Sequence, residues 1–144
     1  MNFKKMQIEV CKAMLKPNSG VAFGEVDDNH IAVTTDAVVL YVFQKNECIF
    51  NLEKIKRKFD ASEILKCRAD DKLLKKTFEM HSIRNAYNTV KFVAGDLEVW
   101  IEEKYAKNFN GYNFYAYAPF NRVLIKAPSG LLVAAVMPVR PLEG

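Results

Sequence analysis

The stretch "VAFGEVDDNHIAVTTDAVVLYVF", residues 21–43, is dense in β-branched and aromatic side chains and is cut once by Asp27-Asp28-Asn29. Asp and Asn hydrogen-bond their own backbone and favour turns, so the cut reads as a hairpin with strands over roughly 21–26 and 30–35. A third strand follows near 38–44 by the same composition. Upstream, Asn2 is placed to cap a helix in which Phe3, Met6, Val10, Ala13 and Met14 recur at three- and four-residue steps, and Pro17 with Gly20 ends it. Lys5, Glu9, Lys12 and Lys16 fall together on the opposite face of that helix.

Downstream, "FNLEKIKRKF" offers Asn51 as a cap, with Leu52, Ile55 and Phe59 on one side and Lys54, Lys56, Arg57 and Lys58 crowding the rest. A further helix is predicted over about 71–81, where Leu74, Phe78 and His81 stand at four- and three-residue steps after Asp70 and Asp71. From Thr89 the signals are strand-like again: "TVKFV", a Gly95-Asp96 turn, "LEVWI", "YNFYAYA", "RVLIKA", a Pro128-Ser129-Gly130 turn and "LLVAAVM". Strands joined by turns rather than helices indicate antiparallel pairing. The expectation is one α+β domain over 1–144, with antiparallel sheets and two or three helices on one face.

The formal charge is +4, with 21 basic and 17 acidic residues, and it is unevenly spread. Residues 1–16 set four lysines against Glu9, residues 45–76 set ten basic against six acidic residues, and the remainder holds 7 basic against 10 acidic. The positive excess therefore belongs to the segments read as helices, which suits a surface laid along a polyanion. Three cysteines at wide spacing, with no Cys-x-x-Cys pair, fit a reducing compartment. The first residues lack the apolar core of a signal peptide, and no stretch is long enough to cross a bilayer, so a cytoplasmic protein is expected.

Two separated stretches resemble the bacterial DNA sliding-clamp family, the β subunit of the replicative polymerase. One is the opening segment, in which Thr35-Asp36-Ala37 precedes a strand containing Leu40. The other is "PFNRVLIKAPSGLLVAAVMPVR", which is similar to the clamp's closing pair of strands. The resemblance implies a single clamp-like domain, self-association through sheet edges, and a role as a processivity, replication or repair accessory. It implies that Lys5, Lys12, Lys16, Lys54, Lys58, Lys72, Lys75 and Lys76 face double-stranded DNA without reading its sequence. It also implies that Met137, Pro138, Val139 and Arg140 line a pocket for short hydrophobic peptides of polymerase-type clients. Proline cannot donate to a strand ladder, so Pro138 is expected to turn these side chains out of it. Pro141 to Gly144 extend the chain beyond the family's usual end.

No enzyme motif is present. His30 and His81 are the only histidines, and each has an ordinary reading, at a strand start and on an apolar stripe. Asp27 and Asp28 read as turn residues rather than metal ligands, and no phosphate-cradling glycine motif occurs. No catalytic residue, metal, cofactor or membrane partner is expected. The aromatic residues from Phe109 to Phe120 read as core plus protein interface, because no basic residue lies between Tyr112 and Phe120. Two rival readings remain: a protein-interaction module of clamp-like fold that does not bind DNA, and a small enzyme of unknown reaction.

Overall fold

Helix α1 (Phe3–Met14) opens the computed structural model, which describes residues 3–17, 19–83 and 87–139. Its buried side chains, Met6, Gln7 and Val10, recur at the helical period, as the sequence pattern requires. Buried Gln7 is satisfied at both ends: its Nε2 donates to the Glu47 carbonyl at 3.0 Å and its Oε1 accepts from the Ile49 N–H at 2.6 Å. These two bonds fasten α1 to the segment after the third strand. That strand belongs to the predicted meander, β1 (Ala22–Glu25), β2 (His30–Thr34) and β3 (Val39–Gln44), paired antiparallel with Phe23 opposite Val33 and Ala32 opposite Val42. Asp27 closes the first turn by accepting from the Asn29 and His30 N–H groups, each at 2.8 Å.

The chain forms two compact units, Met1–Lys66 with Val133–Ala135, and Cys67–Leu132 with Val136–Gly144. In the first, the strand order is β4-β1-β2-β3-β10, where β4 is Arg57–Lys58 and β10 is Leu132–Val136. Val39 to Phe43 are all buried, so β3 is covered on both faces. Tyr41 lies in this core with its hydroxyl toward Glu9 Oε2 at 3.4 Å. Burial, then the nearby Glu9 and Asp36 carboxylates, pushes its phenol well above the ordinary range. Gly24 is required here: a Cβ at that position would stand 2.5 Å from the Phe59 carbonyl oxygen, where β4 runs parallel to β1.

In the second unit the order is β9-β8-β5-β6-β7, all neighbours antiparallel, with β5 at Lys72–Ile83, β6 at Tyr87–Ala94, β7 at Leu97–Glu102, β8 at Asn113–Ala116 and β9 at Val123–Lys126. Helix α3 (Glu103–Ala106) packs on β6 and β7, and Phe92 stacks on Phe114 with ring centroids 4.7 Å apart. Helix α2 (Ser62–Leu65) is a single turn in the first unit. The described residues thus form an α+β structure with mostly antiparallel sheet and three short helices. None of these helices is long and apolar enough to cross a membrane.

Two predicted helices are strands or turns instead. The helix predicted over about 71–81 is instead strand β5, Lys72–Ile83, because β6 and β8 supply ladder partners that outweigh helix-favouring Lys, Leu and Glu. Residues 51–59 make only one 3-10 turn, Leu52–Lys54, with the Asn51 side chain accepting from the Glu53 N–H at 3.0 Å. The crowded cations then run extended into β4. Four like charges within five residues repel when wound into helical turns, and extension separates them.

Candidate nucleic-acid interface

Lys16 lies just past α1, where the Leu15 and Lys16 N–H groups return to the Lys12 and Ala13 carbonyls at 3.3 and 3.2 Å. Those bonds satisfy two carbonyls of the helix's negative end. The 3-10 turn after Asn51 and the extended run into β4 carry Lys54, Lys56 and Arg57 to the same place. The four cations line one recess of about 320 Å³, floored in part by Met14 and Ile55, and no carboxylate lines it. None of the four forms an ion pair among the described residues. Converging cations with no counter-charge raise the local potential and favour an anionic ligand that releases their repulsion.

Of the residues expected to face DNA, the fold brings Lys16 and Lys54 together. Lys5 and Lys12 are exposed on α1. Lys58 adjoins Arg57 on β4, with its ammonium 5.6 Å from the Phe23 ring centroid. Lys72, Lys75 and Lys76 are exposed on β5 in the other unit, and on a strand rather than a helix. Lys56 and Arg57 complete the recess without having been singled out as DNA-facing. The signal for them was the unbroken basic run itself, whose helical reading scattered it around an axis.

At the C-terminus, Met137 is 39% exposed, and Pro138 and Val139 are half-buried. Strand β10 ends at Val136, so Met137, Pro138 and Val139 lie outside its ladder. The Val139 N–H donates to the Trp100 carbonyl at 2.8 Å, making an isolated antiparallel bridge to β7. Arg140 and the 141–144 extension lie outside the described residues.

The remaining polar clusters have structural partners. His30 Nδ1 lies 2.9 Å from Asp27 Oδ1, and that hydrogen bond is the chief cause holding the Asp27 carboxyl below its usual range. His81 packs on Trp100 at 4.8 Å. Arg122 grips Asp71 with both ends of its guanidinium, at 2.7 and 3.0 Å. Tyr117 carries two guanidinium groups, Arg68 at 4.4 Å and Arg122 at 5.0 Å from its ring centroid. Phe114 and Ala116 are buried, and half-buried Tyr115 lies under Lys126 at 5.3 Å. Among the described residues no group of three or more His, Cys, Asp or Glu is placed to hold a metal ion. Burial, then Glu47, pushes the Cys48 thiol up, away from the thiolate.

No protein-family model, no curated protein and no solved structure matches the chain.

Proposed function

We propose that the chain is a non-enzymatic nucleic-acid-binding module that holds duplex phosphates without reading base sequence, consistent with the accessory role implied by the sliding-clamp resemblance. The observation that carries this reading is the convergence of Lys16, Lys54, Lys56 and Arg57 on one recess with no lining carboxylate. Lysine and arginine bind phosphate through charge and N–H donors, and such contacts position a backbone without distinguishing bases. Exposed Lys5 and Lys12 on α1 and Lys58 on β4 add to the charge of the same unit.

The test is fluorescence anisotropy with two duplexes of unrelated sequence over a salt series. Both duplexes bind equally, and affinity falls steeply with salt. Replacing Lys16, Lys54, Lys56 and Arg57 together by glutamine abolishes most of that dependence. Absence of binding at low salt, or a quadruple variant that binds like the parent, overturns the reading.

A further inference from the structure

Phe78 has the largest fractional exposure of the large apolar side chains described, 105%. Its position is built rather than accidental. Lys76 pairs with Phe92 and Met80 with Val90, so three residues of β5 bulge out opposite Lys91 alone. Both neighbours of Phe78 are tied back to that lysine. Thr77 Oγ1 donates to the Lys91 carbonyl at 2.9 Å and accepts from the Glu79 N–H at 3.2 Å. Glu79 Oε2 meets Lys91 Nζ at 3.0 Å, and Glu98 Oε1 meets the same nitrogen at 3.1 Å. The bulge is pinned on both sides, and the ring at its tip stands in water.

The charge around the ring points to its ligand. Lys75 and Lys76 precede it, both exposed and neither in an ion pair among the described residues. Glu79, which follows it, shares Lys91 with Glu98, so that trio holds one net negative charge against the two positive charges of Lys75 and Lys76. A second copy adding a strand here is disfavoured: β5 pairs with β8 only at Lys72–Leu74, but lysines and a bulge beyond that point are what keep a free edge from pairing. An exposed aromatic ring beside unpaired lysines matches the elements that hold single-stranded nucleic acid, a stacking face for a base and cations for the flanking phosphates.

We infer that Phe78 stacks on an unpaired base while Lys75 and Lys76 hold the adjoining phosphates, so that the ligand of this unit is single-stranded DNA or RNA. The inference rests on the nucleic-acid reading above but uses a different set of residues. Bases inside a duplex already stack on both faces, so Phe78 contributes to binding only where a strand is unpaired.

The experiment compares the full chain with Phe78→Ala, Phe78→Trp and the double variant Lys75→Gln with Lys76→Gln, on a short oligo-dT and on a blunt duplex. Phe78→Ala weakens oligo-dT binding by roughly 5- to 100-fold and leaves duplex binding unchanged, and Phe78→Trp restores it. The lysine variant weakens oligo-dT binding and lowers its salt dependence. A 2-aminopurine placed within the oligo-dT is quenched by the parent and by Phe78→Trp but not by Phe78→Ala. Unchanged oligo-dT affinity in Phe78→Ala overturns this inference while duplex binding leaves the earlier reading standing. A shift from dimer to monomer in Phe78→Ala, with unchanged oligo-dT affinity, assigns the ring to a second copy and likewise overturns it. If the parent binds neither nucleic acid at low salt, both proposals fall.

Discussion

Asp71 and Arg122 show how one pair can fix a loop and make stability depend on pH. Their side chains are 7% and 6% exposed, and the two guanidinium contacts at 2.7 and 3.0 Å are joined by the Arg68 N–H, which donates to Asp71 Oδ2 at 2.7 Å. Burial alone would raise the Asp71 pKa, but the hydrogen bonds and positive charges of Arg122 and Arg68 outweigh it and hold the carboxyl below its ordinary value of 3.8. A carboxyl with a depressed folded-state pKa stabilises the fold above its unfolded value and loses that contribution as pH falls through the folded one. Asp71→Asn is therefore expected to cost about 3–5 kcal/mol near neutral pH, because the buried guanidinium of Arg122 loses the carboxylate that it grips at both ends. Urea melts of parent and variant converge as pH drops below about 4, and equal losses at pH 7 and pH 3 would contradict this origin. Backbone geometry gives two further outcomes of opposite sign. Gly24→Ala places a Cβ 2.5 Å from the Phe59 oxygen and is expected to destabilise by about 1–3 kcal/mol in the same melts, because the obstacle is backbone. Ala37, at φ 66° in the turn between β2 and β3, is the one described non-glycine residue with positive φ, and Ala37→Gly is expected to raise stability by up to about 1 kcal/mol.

Strand β5 is one of two places where sequence and structure part company, and its bulge explains why. Leu74 is buried, Thr77 is half-buried, and the residues from Phe78 to Ser82 are exposed, so the strand shows no steady two-residue alternation. Without alternation, the chance spacing of Leu74, Phe78 and His81 imitates a helical stripe, although Phe78 faces water and His81 packs on Trp100. Nothing local in "KLLKKTFEM" announces the bulge, whose cause is the pairing of Thr77 and Glu79 with a lysine on another strand. By contrast, the β1–β2–β3 meander, the Gly95-Asp96 hairpin and the last strand were legible, because their turns are written into adjacent residues. The recess was half legible: Lys16 and Lys54 stood out, while Lys56 and Arg57 depended on the chain entering β4, where Arg57 pairs with Ala22 of β1. If the Thr77 hydroxyl holds the bulge, Thr77→Val removes two hydrogen bonds and is expected to cost about 1–2 kcal/mol. Hydrogen exchange should then quicken at the amides from Lys76 to Met80 more than in β1–β3, and a uniform loss of protection across both units would mean the hydroxyl is not a local clasp.

At the scale of the whole molecule, the net charge of +4 matters less than its placement. Four cations surround one recess in the unit containing α1, while Lys75 and Lys76 precede an exposed ring on β5 in the other. On the two proposals above, each unit would hold phosphate by its own residues, and the two are separable by salt. If the recess neutralises about four phosphates of a duplex, the logarithm of affinity should fall with the logarithm of salt at a slope near −3.6, which is about a 150-fold loss between 50 and 200 mM. Changing Lys16, Lys54, Lys56 and Arg57 to glutamine should flatten that slope almost completely on duplex. The same variant should retain the part of oligo-dT binding that Phe78 supplies, since base stacking carries little salt dependence of its own. The converse variant, Phe78→Ala, should leave the duplex slope intact and lower only the oligo-dT affinity. A quadruple variant that loses both ligands together, with its fold intact by circular dichroism, would show that the two surfaces act as one site and would remove the division of labour argued for them.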